Sequence, residues 1–438
     1  MASFDQARST AAAQPALPAE PLPLHQATGC VLAGALHAQL DVPHAATSAM
    51  DGWALGTPTP ALHQQNQPHS HDRQSHPAPS WRARPDGAGG PGTLLAPLAE
   101  GEAVGVVTGS PVPAGTVSVL RSEHAQLQDG TLYAAEQTPD LEPGRNIRPV
   151  AVEAAAGDLI LPAGERLTAA GAAAAAVAGY DTVQVIPRPR VRLILTGSEV
   201  ITSGLPGPGE VRDVFGLALP PMLQEAGAQV EDVHRIQDDP AALRALIDQQ
   251  PAPDLIITTG GTAASRADTL RPVLAELDAE ILVSHVDMRP GHPALLARIP
   301  GADRTRPGTY ILGLPGNPLA GFAALTVLGL PLIIALGGRR PPEPLQAQAA
   351  GEVSGAPRRG GGGVRLVPAR LSAGVGGPVV HLSEHTQAHM MRGLAQAEIF
   401  AVVPAEGLAA GDPTECLEVL GRSDVRSPMP HSGPPRRS

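Results

Sequence analysis

The sequence predicts a multidomain protein of the α/β-plus-β class. Three observations predict it. From residue 190 onward, strand-like apolar runs alternate with helix-length segments. Several of those runs, such as "LIIT" at 255–258, are continuously apolar. The stretches 103–137 and 364–423 break instead into short β-like runs separated by turns. Strands alternating with helices call for a parallel sheet covered on both faces. Continuously apolar strands fit burial on both sides. Short runs at close spacing read as small, mostly-β units.

The bulk numbers agree with several domains. A chain of 438 residues is long enough for about two to four domains. It is 42% hydrophobic but only 2% aromatic, so its core must be Ala, Val, Leu and Ile. Gly 49 and Pro 48 predict many turns. A formal net charge of −11 argues against general binding to nucleic acid or an acidic membrane. Cys30 and Cys416 form no CxxC or Cys/His framework. "MASFDQARST" lacks a basic start followed by an apolar run, so no signal peptide is expected. "LTAAGAAAAAVAGY" (167–180) is too short to span a bilayer. Cytoplasm is the expected compartment.

Taken in order, residues 16–40 have helical apolar spacing around Val31, Leu32, Ala35 and Leu36. "DVPHAATSAMDGWAL" (41–55) is turn-rich. Residues 63–93 lack Leu, Ile, Val, Met and Phe, and hold His63, His69, His71 and His76. They read as a disordered, solvated loop rather than a metal site, and their removal is expected to leave the fold intact. Residues 157–186 read as strand, turn, Ala-rich helix and strand. Then come strand "RVRLILTG", helix 214–227, strand "QVEDVHRI", helix 239–250, strand "DLIITTGG", helix 268–279, strand "YILGLPG" and helix 318–336. Residues 339–363 read as a linker, and "RSPMPHSGPPRRS" as a disordered tail.

In an open parallel sheet, ligands sit beyond the carboxyl ends of the strands. "TTGG" (258–261) lies at such an end. Gly260 and Gly261 permit close backbone approach to an oxyanion, and Thr259 and Thr262 add hydroxyls. A helix starting near Asp268 adds N–H donors. "RPGHP" (289–293) and "LPGNPLAG" (314–321) are Pro-Gly turns after apolar runs, and "LTGSEV" (195–200) offers Thr196 and Glu199. Arg289 carries a planar fork suited to an oxyanion, and Asn317 can both donate and accept. Several such turns converging on one crevice suit a ligand better than plain connection. For Asp238, Asp239 and Asp268, a helix N-cap role competes with a functional one.

"TSAMDGWAL" (47–55), "TGSPVPAGTVSVLRSE" (108–123), "GRNIRPV" (144–150), "RPRVRLILTGSEV" (188–200), "TTGG", "MRPGHP" (288–293) and "GLPGNPLAG" (313–321) occur in one order. Together they resemble the molybdopterin molybdenumtransferase family, the bacterial counterpart of the gephyrin C-terminal domain. The resemblance runs over roughly 16–423. It implies a stem of 1–50 and 146–187, an inserted β-rich domain at 51–145, an α/β molybdopterin-binding domain at 188–338 and a C-terminal β barrel at 364–423. It implies a homodimer with the active site between subunits, and possible adenylyltransferase or molybdoenzyme partners. The implied reaction inserts molybdate into adenylylated molybdopterin with release of AMP, assisted by Mg2+ or a similar divalent cation. By position, Asp51 reaches the metal or phosphates with support from Ser48 and Thr108. Glu199, Asp238 and Asp268 are the acidic, metal-holding residues. Gly260 and Gly261 cradle the pterin phosphate. Arg289, His292 and Arg392 form the molybdate pocket, closed by Pro315, Gly316, Asn317 and Pro318.

The chain departs from the family pattern at that pocket. Arg289 and His292 stand where lysines are usual, as does His285. "TTGGT" followed by Arg266 and Asp268 leans towards the related molybdopterin adenylyltransferases. A catalytically weakened molybdopterin-binding protein, working beside an active paralogue, is the alternative these changes raise. A divergent adenylyltransferase is the other.

Overall fold

The computed structural model describes residues 1–59, 79–85, 96–260, 269–301, 308–355 and 363–419. Its centre is a six-stranded sheet in the order Gln229–Ile236, Arg190–Thr196, Leu255–Thr259, Thr309–Leu314, Leu295–Ile299 and Glu280–Val283. The first four strands are parallel. The last two form an antiparallel extension that the sequence reading missed. Glu280 and Ile281 are exposed, so this edge strand lacks the continuous apolar run that marks the central ones.

Helices cover both faces. Phe215–Ala226 and Pro318–Leu336 share a core with the undersides of the strands. Pro240–Asp248 and Leu270–Glu276 bury Leu243, Ile247, Val273 and Leu274 on the other face. Pro318–Leu336, 19 residues with a π-helical turn at Leu325–Gly329, is long and apolar enough to cross a membrane. It is nevertheless the core helix of this sheet, buried along almost all of its length. It also outranks 167–180 as the longest apolar segment.

An N-terminal helix, Phe4–Ala12, joins the same core through Phe4, Ala7 and Ala11. Ser3 and Gln6 close its first turn as a reciprocal capping box. The helix expected around Val31–Leu36 does not form. Val31–Leu32 pairs with Val185–Ile186, and Leu36–His37 pairs with Leu159–Leu161. Cross-strand pairing overrides a weak helical spacing there.

The inserted sheet has the order Ser118–Arg121, Gly52–Leu55, Glu102–Val106, Ser80–Ala83, Thr131–Ala134 and Ala125–Gln128. Ser80–Ala83 corrects the loop expected over 63–93. Trp81 is buried among Leu55, Leu120 and Leu132, and its Nε1–H donates to Gly56 O at 2.8 Å. One large aromatic gives this polar stretch the anchor that the aliphatic count overlooked. Deleting 63–93 would remove this strand and its buried Trp81, so a loss of stability is expected in place of the neutral deletion. His63, His69, His71 and His76 lie outside the described residues.

Near the C-terminus, Leu345–Ala349, Val364–Gly374, Gly377–Leu382, Ile399–Val403 and Pro413–Glu418 close into a five-stranded barrel. Its first strand lies in the stretch 339–363 read as linker, because the five-residue alternation of "LQAQA" directly follows the Pro-rich "RRPPEP". Met288–Arg289, from the α/β part of the chain, pairs onto this barrel beside Val364–Arg365. The tail 424–438 is outside the described residues.

Candidate active site

Strand Arg190–Thr196 has its sequence successor, Gln229–Ile236, on one side and Leu255–Thr259 on the other. The chain reverses direction across the sheet at this point, which leaves a crevice beyond the strand ends. A cavity of about 730 Å³ opens there. Thr196, Ile236, Thr259 and Pro315, at or beside the four parallel strand ends, all line it.

The crevice floor is made by backbone and small residues. The Thr196 hydroxyl donates to Thr259 O at 2.6 Å, tying the two strands at the reversal. Gly260 N–H donates to Leu314 O at 2.9 Å. Gly260 has φ +80, and a Cβ there would stand 2.7 Å from the Thr196 hydroxyl. Both conformation and space therefore require glycine. Gly316, Asn317 and Pro318 form the neighbouring wall. Asn317 is the N-cap of the core helix, yet its side chain makes no capping bond, which leaves the amide available to the cavity.

Two predicted carboxylates reach the cavity, Glu199 and Asp238. The structure also separates the adjacent aspartates. Asp239 is the N-cap of Pro240–Asp248, its carboxylate accepting from Ala241 N at 2.9 Å, while Asp238 turns to the crevice. Among the described residues no group of three His, Cys, Asp or Glu side chains is placed to hold a metal ion. Two carboxylates on one rim do fit a magnesium-like ion, which takes one or two protein carboxylates and completes its shell with substrate phosphates and water. Gly261, Thr262 and Asp268 lie outside the described residues.

Sequence reasoning missed Arg235 and His389, and gave no role to Arg212 and Asp213 of "GEVRD" (209–213); all four line the same cavity. Arg235 sits next to the end of an edge strand whose exposure alternates, so nothing local distinguishes it from a surface arginine. His389 arrives from the barrel side of the chain together with Met391.

Arg289, His292 and Arg392 are exposed and are not among the cavity's lining residues. Their chain neighbours Pro293 and Met391 are. Arg289 lies on the short strand paired to the barrel, and Arg392 opens the short helix Arg392–Ala395. The His292 Nδ1 is 2.9 Å from Val286 O, and its ring stacks on His285 with centroids 5.3 Å apart.

Ser48, Asp51 and Thr108 form a second cluster on the inserted unit. The Asp51 carboxylate accepts from Thr108 N at 2.7 Å and from the Thr108 hydroxyl at 2.9 Å. These two bonds, the backbone one first, hold its pKa below the usual range although it is exposed. Ser48 is fully buried and pairs with Ile147, which explains why "TSAMDG" and "NIR" belong together. Asn146, at φ 57, accepts from Ala49 N through its carbonyl and donates from its amide to Asp140 at 3.0 Å. Burial raises the pKa of Asp140, but hydrogen bonds from Arg121, Asn146 and His124 outweigh it and hold the carboxyl at about 2.

Comparison with known proteins agrees with this geometry. A profile described as the MoeA N-terminal region (domain I and II) matches residues 2–179. One described as a probable molybdopterin binding domain matches 192–335. A molybdopterin molybdenumtransferase of Nostoc sp. is 32% identical over 317 residues, 72% of this chain and 69% of the relative. Molybdopterin molybdenumtransferase 2 of Mycobacterium tuberculosis is 31% identical over 325 residues, 72% of this chain and 75% of the relative. The crystal structure of a molybdopterin biosynthesis MoeA protein from Pyrococcus horikosii shares the fold. Its TM-score is 0.66 at 22% identity, covering 96% of this chain and 100% of that one. At 32% identity over 69% of the Nostoc relative, with both profiles in order along its length, this chain belongs to the molybdopterin molybdenumtransferase family.

Proposed function

We propose that this protein is a transferase of molybdenum cofactor biosynthesis that inserts molybdate into adenylylated molybdopterin and releases AMP. The switch-point crevice carries the reading. Its lining, His389 and Met391 apart, comes from the segment that matches a molybdopterin-binding profile, and its floor suits an anionic pterin nucleotide. Gly260 lets backbone approach the substrate's phosphate closely, while the Asn317 amide and the Thr259 hydroxyl offer donors and acceptors to the pterin.

Glu199 and Asp238 would hold a divalent cation that arrives with the substrate's phosphates. When bound, such an ion neutralises the phosphate group that leaves. Asp51 works from the inserted unit of the partner subunit in a homodimer, aimed by Thr108 and Ser48. Arg289, His292 and Arg392 flank the mouth beside Pro293 and Met391 and attract molybdate. The enzyme acts in the cytoplasm, beside an adenylyltransferase that supplies its substrate and molybdoenzymes that take its product.

Two other readings are disfavoured. A divergent adenylyltransferase does not account for the N-terminal match over 2–179. A weakened binding protein is the reading that the lysine replacements favour, and turnover decides it. With adenylylated molybdopterin, Mg2+ and molybdate, AMP release that depends on molybdate is expected. Tight binding of the substrate with no AMP would instead identify a carrier, and pyrophosphate release from ATP an adenylyltransferase.

A further inference from the structure

We infer that Arg235 is a substrate-binding residue that grips the phosphoanhydride of the adenylylated pterin, and that Asp213 and Gly216 exist in this chain to aim it. The inference rests on the proposed function and deepens it. Three observations carry it.

The first is the sharing of work between the cavity's arginines. Arg212 is committed to backbone, donating to the carbonyls of Gly204 and Thr202. Arg235 uses a single Nη2 hydrogen bond, to Asp213, among the described residues. A guanidinium has five N–H donors in a planar fork. Nη1, Nε and the second Nη2 proton of Arg235 thus remain for a ligand, so one parallel edge of the fork is still open.

The second is the exposure of the ion pair. The Asp213 side chain is 6% exposed and that of Arg235 is 39%. Asp213 also accepts Gly216 N–H at 2.9 Å, at the start of helix Phe215–Ala226, which offsets its charge locally. Both side chains line the cavity, but a ligand entering it meets mainly the guanidinium, because the carboxylate is nearly covered. A purely structural ion pair does not require this asymmetry.

The third is Gly216. A Cβ at that position would overlap both the Arg235 guanidinium and the Asp213 carboxylate. The helix gives up a side chain in its first turn, and the space holds the arginine in one direction. Held so, the fork presents parallel N–H groups to an oxyanion, the geometry in which arginine recognises phosphate bidentately. Arg235 also stands three residues before Asp238. The same strand end thus supplies the cation for phosphate oxygens and a carboxylate for the divalent ion they bring.

The test uses the full-length protein, with adenylylated molybdopterin as the probe. Its binding is measured by calorimetry without molybdate. KM and kcat come from AMP release, and folding is checked by melting temperature. Arg235→Gln should weaken binding and raise the KM for adenylylated molybdopterin about ten- to a hundredfold. The kcat and the KM for molybdate should change less than threefold, while melting falls because the nearly covered Asp213 carboxylate loses its partner. Arg235→Lys, which keeps a cation there, should melt close to wild type but recover only part of the loss in binding. Gly216→Ala should reproduce the KM effect with the arginine still present. Affinity within twofold of wild type in Arg235→Gln would overturn the inference and leave a structural ion pair. A rise confined to the molybdate KM would overturn it too, by moving the anion's identity. Wild-type protein that binds the probe but releases no AMP would sink the proposed activity alone, and the binding ratio would still decide Arg235. Wild-type protein that binds nothing would sink both.

Discussion

The crevice of the α/β sheet and the Asp51 loop of the inserted sheet both offer carboxylates, held in opposite ways. Glu199 and Asp238 line a cavity and, among the described residues, their carboxylates accept no hydrogen bond. Asp51 is exposed, yet two bonds from Thr108 fix its direction and favour its ionised form. The crevice groups are free to follow an ion that comes with its substrate. The Asp51 group is aimed beforehand, as expected of a residue that must arrive from another surface. Adaptable ligands sit where the substrate brings its own order, and a rigid one sits where nothing else supplies it.

The largest test breaks the comparison at its centre. Asp51→Ala and Asp238→Ala should each lower AMP release by about 10²–10³-fold with melting temperature unchanged, the size of losing one electrostatic group at a reacting centre. If the two act across a homodimer interface, mixing the inactive variants under subunit exchange should restore about a quarter of wild-type activity, because half the dimers carry one intact site of two. No recovery after demonstrated exchange would put both residues to work within one subunit.

A second test asks what keeps Asp51 rigid. Asp140→Ala removes the partner of Arg121 and Asn146 and should cost about 3–5 kcal/mol by urea denaturation, since it strands a guanidinium beside a buried site. The native carboxyl lies at about 2 against 3.8 for the free group, so it binds its proton less readily when folded. Its stabilising contribution is therefore complete above about pH 4 and is lost as pH falls towards 2, a change of roughly 2 kcal/mol. Stability of the inserted unit that stays flat across that window would dismiss the network as its anchor.

The smallest effect sharpens the crevice itself. Asp239→Ala should cost about 1 kcal/mol through the lost N-cap while turnover holds. Asp238→Ala should do the reverse, sparing stability and removing turnover. Matching losses in the two variants would mean that the cap and the crevice are not separable.

Much of this was legible in the residues. Alternating strands and helices located the central sheet, and "TTGG" with "LPGNP" marked its rim, because glycine and proline announce backbone geometry directly. Side-chain direction was not legible. Asp238 and Asp239 are chemically the same in sequence, and only the helix start assigns one as cap. Arg235 looked like any edge-strand arginine until the fold brought Asp213 and Gly216 to it. Leu345–Ala349 hid in a Pro-rich passage, since a barrel strand can be built from Ala and Gln once its neighbours are apolar. The N-terminal helix did carry a signal, Ser3 followed three residues later by Gln6, which apolar spacing alone passed over.

Met288–Arg289 leaves the central sheet's connection to add a strand to the barrel. Leu366, Leu394, Phe400 and Leu417 of the barrel segment enter the same core as the central helices. The C-terminal unit is thus a buttress whose removal would strip the floor beneath residues 288–293. Anyone excising the pterin-binding unit for use as a stand-alone scaffold should keep the chain through Glu418, or rebuild that exposed surface first.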